Sequence, residues 1–376
     1  MEKAGLMAFD AIVIGGGLVG SAIAWGLQRE GLKAVLLDEG DLAFRASRGN
    51  FGLVWVQSKG LGAPHYQRWT RASAEAWGSL ADELQASTGL ACGLQQTGGV
   101  HLCLSDHEYE DRADRMARMK QEAGNHGYDY RMLDAREVRN MLPGLGERVV
   151  GASWTPYDGH ANPLNLLHAL HHSFVEAGGR YVPESAVTAA HAAPRDFRVS
   201  TPAGDFAAPR IVLAAGLGNA ALAPLFGLHA PVRPQRGQIL VTERTREALP
   251  MPTTSIRQTD DGTLLLGDSQ EEVGLDLHQT QDVMAAIAQR AAWSFPWIAR
   301  LNIVRAWSAL RVMAPDGLPI YDESETCPGA FTANCHSGVT LAAAHARLFA
   351  PMVARGALDS GMVAFSASRF PSQPAI

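Results

Sequence analysis

Residues 11–14 form an unbroken apolar run, Ala-Ile-Val-Ile, with no polar position to mark an exposed face. A run of this kind fits a strand buried on both sides, as in a parallel sheet. Three glycines follow, and then Leu18, Ala22, Trp25 and Leu27 recur at helical spacing up to Arg29. A second apolar run over 33–37 stops at Asp38-Glu39, and a third over 210–213 ends in Ala214-Ala215-Gly216. Strand, helix and strand in this order predict a doubly wound parallel sheet. Other stretches have a different texture. From Pro64 onward Trp69, Ala76, Trp77, Leu80 and Leu84 make a helical core stripe. Residues 98–104 alternate as a half-buried strand, and 106–140 are charged and helical in pattern, with Met116, Met119 and Met132 among the charges. Trp154 to His160 is a turn-rich link, and Asn162-Pro163 then starts a helix that Gly178-Gly179 stops. Residues 180–183 and 186–190, including Val187, read as strand segments. A strand over 234–242, a hairpin with an Asp261-Gly262 turn and a helix over 279–292 come next. A strand, turn and strand over 305–320 and a short strand over 330–334 precede a helix from Leu341 to about Arg355. Residues 366–376 read as a loose tail.

The glycines between the first strand and helix have the spacing Gly15-x-Gly17-x-x-Gly20. In this context it is the dinucleotide-binding fingerprint. Gly15 permits the turn, Gly17 admits a pyrophosphate to the backbone, and Gly20 lets helix and strand pack closely. The first helical turn, with Leu18 and Val19, offers N–H groups and a positive dipole end to phosphate. Asp38-Glu39 stands where an acid meets a ribose. The loop Phe44-Arg45-Ala46-Ser47-Arg48-Gly49-Asn50-Phe51-Gly52 is suited to wrapping a phosphate or planar ring with backbone N–H groups. A second glycine turn, Cys335-His336-Ser337-Gly338-Val339-Thr340, opens the last helix. A dehydrogenase that uses only a nicotinamide dinucleotide has no obvious use for it. FAD, whose far end must also be held, has: the first turn takes the pyrophosphate and the last takes the flavin. The fold class expected is α/β, a Rossmann-like FAD-binding domain with a discontinuous β-rich α+β substrate domain. The FAD-binding domain draws on residues 1–90, 146–230 and 305–376, and the substrate domain on 91–145 and 231–304; 376 residues exceed one ordinary core.

A net charge of −6 without a basic patch argues against a nucleic-acid partner. No apolar run reaches the ~18 residues of a membrane span. The first residues lack the order of a signal peptide. Cys92, Cys103, Cys327 and Cys335 form no CxxC pair, which suits a reducing cytoplasm. His168, His171 and His172 share a helix, but no carboxylate or cysteine nearby completes a metal site, so no metal is expected.

Taken together, Gly15-x-Gly17-x-x-Gly20, Asp38, Ser47-Arg48-x-Asn50-x-Gly52, Ala214-Ala215-Gly216, Arg311-x-x-x-Pro315-Asp316-Gly317-x-Pro319 and His336-Ser337-Gly338-x-Thr340 resemble a known family. It is that of the FAD-dependent amine and amino-acid oxidoreductases of the D-amino-acid oxidase type, glycine oxidase and sarcosine oxidase among them. The resemblance covers nearly the whole chain. Over 50–57 and 335–340 it is greatest to the FAD subunits of opine oxidases, D-hydroxyproline dehydrogenases and hydrogen-cyanide-forming glycine dehydrogenases.

The resemblance implies oxidation of a C–N bond, with hydride passing to flavin N5 and the imine hydrolysed; the substrate would be opine, D-hydroxyproline, glycine or sarcosine-like. It implies that FAD is held by Gly15, Gly17, Leu18, Val19, Gly20, Asp38, Glu39, Ser47, Arg48, Asn50, Phe51, Gly52, Val187, Ala215, Gly216, Gly338, Val339 and Thr340. It puts Arg311 on the substrate carboxylate, a task suited to a planar, always-charged guanidinium; the other use of such an arginine is a structural ion pair. Arg257 and Arg236 are secondary candidates on substrate-domain strands. His65 and Tyr66 could face a cleft from the start of their helix. His336 would touch the ring carbonyl or the substrate, or cap the helix. Some relatives attach flavin covalently, but the spacing of Cys335 and His336 assigns no bond. The opine and hydroxyproline enzymes resemble subunits of assemblies whose partners carry iron–sulfur centres. This chain has no cysteine cluster, so an iron–sulfur partner subunit or a quinone would take its electrons if they do not go to oxygen. Two other readings fit the glycine turns: an NAD(P)-dependent dehydrogenase of another fold, and a flavoprotein subunit that scaffolds a complex without turnover.

Overall fold

The run Ala11–Ile14 is an inner strand of a six-stranded sheet. The order across that sheet is Ile320–Glu323, Ala330–Asn334, Ile211–Leu213, Ala11–Ile14, Ala34–Leu37 and Arg180–Val182. Neighbours run parallel except for the first pair, which is antiparallel. Our computed structural model describes residues 7–40, 46–127, 129–267 and 269–371.

Both faces of the central strands are covered, which is why they carry no polar alternation. Ile12, Ile14, Val35 and Leu37 pack on Phe197, Val199 and Phe206 of a four-stranded sheet. Ala11, Val13, Ala34 and Leu36 face the other way, toward helix α1 (Leu18–Arg29) and the helix Pro163–Glu176. Helix α2 (Pro64–Thr88) joins this layer through Trp69, Trp77, Leu80 and Leu84. The expected strand over 186–190 begins only at Ala189; Glu184, with a φ of 54°, turns the chain ahead of it, and Val187 lies in the intervening segment.

Beside the two-stranded pair of Leu53–Val54 with Gly159–His160, the rest of the described chain builds two larger sheets. One runs Ile256–Gln258, Thr263–Leu266, Arg233–Arg244, Ile303–Met313; the other runs Gly99–Cys103, Gly151–Thr155, Arg131–Asp134. Val100, Leu133, Leu240, Leu266, Ile287 and Phe295 form a common core between them. The boundaries expected at 146 and 305 fall within this part. Gly151–Thr155 pairs with Gly99–Cys103, and Ile303–Met313 pairs along most of Arg233–Arg244. The charged stretch 106–140 is helix α3 (Asp106–Ala123), then the strand Arg131–Asp134 and the short helix Ala135–Met141.

The last helix is interrupted. Ala342–Ala344 leads into a π turn over His345–Phe349 before Ala350–Arg355. Pro351 accounts for this, because it has no N–H for the carbonyl of Arg347 and its ring crowds that carbonyl. The expected loose tail is tied down as far as Phe370. Arg369 binds Asp316 at 2.8 and 3.2 Å, and Ala367 is buried. Residues 372–376, like Phe44 and Arg45 of the loop after Asp38, lie outside the described residues.

Candidate active site

Two adjoining spaces lie at the ends of the central strands. The narrower is a cleft of about 310 Å³ bordered by Gly15, Gly17, Leu18, Val19, Asp38, Glu39, Ser47, Asn50, Ala215, Gly216 and Gly338. The fingerprint makes it. Gly15 has a φ of 109°, and a Cβ there would sit 2.4 Å from the Ala214 carbonyl oxygen. Gly20 does not border the cleft; it supports the turn, since a Cβ there would lie 1.9 Å from the Gly15 carbonyl oxygen. The Leu18 N–H donates to Ser47 Oγ at 2.9 Å, which ties the second loop to the start of α1. Asp38 is buried and accepts from the Gly16 N–H at 2.6 Å and the Gly40 N–H at 3.0 Å. Open backbone at a helix start, a buried acid beside it and a second glycine turn opposite fit a dinucleotide with a long second half.

The wider space is a cavity of about 930 Å³. Asn50 and His336 border both spaces, so cleft and cavity meet at the closing loop 335–340. Phe51, Val339, Thr340 and Arg311 line the cavity as well. The closing loop is held from α2. Tyr66 Oη lies 3.1 Å from Ser337 Oγ, Ser73 Oγ donates to the Thr340 carbonyl at 2.7 Å, and Trp77 Nε1 donates to the Val339 carbonyl at 3.0 Å. Periodicity identified Trp77 as core, and it is; the polar ends of this stripe as loop fasteners went unread. Ser73 Oγ also accepts from the Ala344 N–H at 3.0 Å. Ser73→Ala leaves two buried backbone groups unpaired, each costing roughly 1–3 kcal/mol. Urea unfolding and FAD titration should therefore show a less stable protein that holds FAD more weakly.

Arg311 reaches the cavity from the strand Ile303–Met313. Its Nη1 donates to the carbonyls of Ser269 at 2.7 Å and Arg236 at 3.3 Å. The guanidinium lies flat on the neighbouring strand because Gly237 has no side chain; a Cβ there would be 2.7 Å from Nη1. Lys59, which no sequence signal singled out, places Nζ 2.9 Å from His336 Nε2. Lysine only donates, so His336 Nε2 accepts and the ring proton sits on Nδ1. Burial, then Lys59 and Arg311, push His336 well below the usual histidine range, so the ring is neutral.

Helix α3 forms a further wall with Glu108, Asp111, Arg112, Asp114, Arg115 and Arg118. Arg112 is buried; its Nε donates to Ser153 Oγ at 2.7 Å and its Nη2 to the carbonyl and Oε1 of Gln57, both at 2.8 Å. Gln57 Nε2 in turn donates to Asp158 Oδ2 at 2.6 Å. Burial pushes the Asp158 carboxyl up to about 7. The folded protein therefore holds this proton more tightly than the unfolded chain. The resulting stability is complete below pH ~4 and is lost as pH rises through ~7. Asp158→Asn should gain more than about 1 kcal/mol relative to the parent protein between pH 5 and pH 8, measured by urea unfolding at each pH.

Other candidates lie elsewhere. Arg257 is buried, donates Nε to the Phe51 carbonyl and stands 5.9 Å from the Phe51 ring; burial lowers it to about 10. It supports Phe51 from behind rather than lining the cavity. Arg236 is paired with Glu271 at 2.7 Å and Asp276 at 2.6 Å, a structural ion pair. His65 packs edge-on against Phe365 at 4.8 Å and lines neither space. Arg48, Gly52 and Val187 border neither. His171 binds Ser21 Oγ at 2.8 Å and the Gly16 carbonyl at 3.0 Å, and so braces the fingerprint turn.

Comparison with known proteins decides the family. Residues 10–352 match the family described as FAD dependent oxidoreductase, DAO. The chain belongs to it. An opine oxidase subunit of Agrobacterium tumefaciens (strain Ach5) is 44% identical over 98% of this chain and 99% of that protein. Glycine oxidase of Geobacillus kaustophilus has a crystal structure that superposes with a TM-score of 0.87 at 25% identity, covering 97% of this chain and all of that one. L-proline dehydrogenase of P. horikoshii shares the fold at a TM-score of 0.84 and 21% identity, covering 97% of this chain and 98% of that one. The resemblance read from the glycine turns therefore stands, as do the α/β fold class and FAD over a nicotinamide cofactor. This member of the DAO family is an FAD-dependent oxidoreductase of the amine and amino-acid type. Among the described residues, no helix is long and apolar enough to cross a membrane.

Proposed function

We propose that this DAO-family protein oxidises a carboxylated secondary amine of the opine kind, an N-(carboxyalkyl) amino acid. The observation that carries the reading is Arg311 and a neutral His336 opening onto one cavity beside the dinucleotide cleft. FAD, when bound, accepts the hydride from the carbon next to nitrogen. Gly15, Gly17, Leu18, Asp38, Ser47 and the 335–340 turn would hold it. Arg311 anchors the substrate carboxylate; its plane is preset by the Ser269 and Arg236 carbonyls, so little ordering remains at binding. Among the described residues, six cations and three carboxylates line the cavity, Lys59, Arg112, Arg115, Arg118, Arg290 and Arg311 against Glu108, Asp111 and Asp114. That excess disfavours an ammonium, so the amine is bound in its neutral, hydride-releasing form.

The 44% identity to a protein named as an oxidase subunit supports a partner chain. The four free cysteines suit a reducing cytoplasm. The six-stranded sheet and the two smaller ones support a division into an FAD-binding and a substrate domain, with 151–155 and 303–313 in the latter.

The test is anaerobic mixing of the FAD-loaded protein with an N-(1-carboxyethyl) amino acid, D-hydroxyproline, glycine and sarcosine. The expected result is fastest bleaching of the flavin by the first. A flavin that stays oxidised with all four makes this chain a scaffold rather than an enzyme.

A further inference from the structure

The helix Pro163–Glu176 carries three histidines, and they are placed differently. His168 and His172 are exposed, whereas His171 is half-buried and meets the fingerprint turn. Its ring stacks on Tyr181 of the edge strand Arg180–Val182, with centroids 4.4 Å apart. Its Nε2 lies 3.0 Å from the Gly16 carbonyl and 2.8 Å from Ser21 Oγ, and Ser21 Oγ donates to the same carbonyl at 3.0 Å. A carbonyl only accepts, so Nε2 carries the ring proton. Burial keeps the ring below the usual histidine range, so it donates as a neutral group.

Gly15 and the stretch 17–19 border the cleft, and Gly16 between them does not. Its polar groups are held from outside the cleft. The N–H donates to Asp38 Oδ2 at 2.6 Å, and the carbonyl takes the donors of Ser21 and His171. Three successive glycines have little conformational preference of their own. Nor can residue 16 be steadied by a side chain, since a Cβ there would lie 2.9 Å from Asp38 Cβ. The direction of its carbonyl therefore depends on these two donors. With it goes the direction of the flanking backbone that a pyrophosphate meets.

We propose that His171 is a positioning residue for FAD: with Ser21 it fixes the Gly16 carbonyl and so presets the turn that receives the pyrophosphate. It borders neither the cleft nor the cavity, and acts on the cofactor only through Gly16, 155 positions earlier in the chain.

The test is FAD titration of the parent protein and its variants, read by quenching of flavin fluorescence. Either donor alone satisfies the carbonyl, so His171→Leu and Ser21→Ala should each weaken FAD about threefold. Together they leave a buried acceptor unpaired. The double variant should bind FAD about thirtyfold more weakly or worse, beyond the product of the single effects. His171→Gln, whose amide N–H replaces the ring Nε2–H, should stay within about twofold of the parent. In the parent protein, nitrogen NMR of the imidazole near neutral pH should find the proton on Nε2. These last two readouts stand even where the double variant does not fold. The proposal is overturned if the two losses multiply without excess, if glutamine binds FAD no better than leucine, or if the ring proton is on Nδ1.

Discussion

Replacing Arg311 with alanine raises KM for a carboxylated substrate by about tenfold or more, since a hydrogen bond to a charged group contributes roughly 1.5–3 kcal/mol. Arg311 donates Nη1 to two carbonyls and borders the cavity. A thermal melt beside the kinetics separates the loss of those backbone contacts from the loss of substrate binding. Lysine should rescue poorly, because a point charge cannot reproduce the planar fork that lies over Gly237. The measurement is the reductive half-reaction, followed by flavin bleaching across substrate concentrations. Unchanged kinetics would remove Arg311 from the site.

Gly20→Ala yields a protein that does not retain FAD. The added Cβ would stand 1.9 Å from the Gly15 carbonyl oxygen and 3.2 Å from Ala214 Cβ. The first neighbour is backbone and cannot swing away. Gly15 is itself fixed, its N–H donating to the Leu37 carbonyl at 2.8 Å. Relief requires α1 to move off the strand, at an overpacking cost of about 1–3 kcal/mol or more, and that movement takes the helix N-terminus out of register with the cleft. Flavin absorbance of the purified protein, with a thermal melt, checks both effects. Full flavin occupancy would contradict the role given to Gly20.

The nucleotide half was legible because its constraints are local. Ala11–Ile14 is apolar throughout because both its faces are covered, and Gly15 and Gly20 after it are forced by contacts at 2.4 Å and below. The cavity was much less so. α3 carries Glu108, Arg112 and Arg115 on one face, and in sequence a helix face lining a polar cavity is indistinguishable from one facing water. Lys59 sits in a turn without a motif. Arg257 and Arg311 are both arginines on strands of one sheet; the motif after Arg311 ranked it first, and the strand order puts Ile256–Gln258 at one edge and Ile303–Met313 at the other. The strand Gly151–Thr155 was hidden by the turn residues that follow it. Its pairing with Gly99–Cys103 is a long-range choice that no local pattern records.

The cofactor cradle is assembled from two stretches far apart along the polypeptide. Residues 15–19 shape one side of the cleft and residues 334–338 the other, and the fasteners from α2 have nothing to grip until that second segment exists. A nascent chain emerging from the ribosome thus has its fingerprint long before the segment that completes the binding site has been made. Capture of FAD is consequently a late event in maturation, and a chain cut short before residue 335 keeps the fingerprint yet has lost the means to hold the ring.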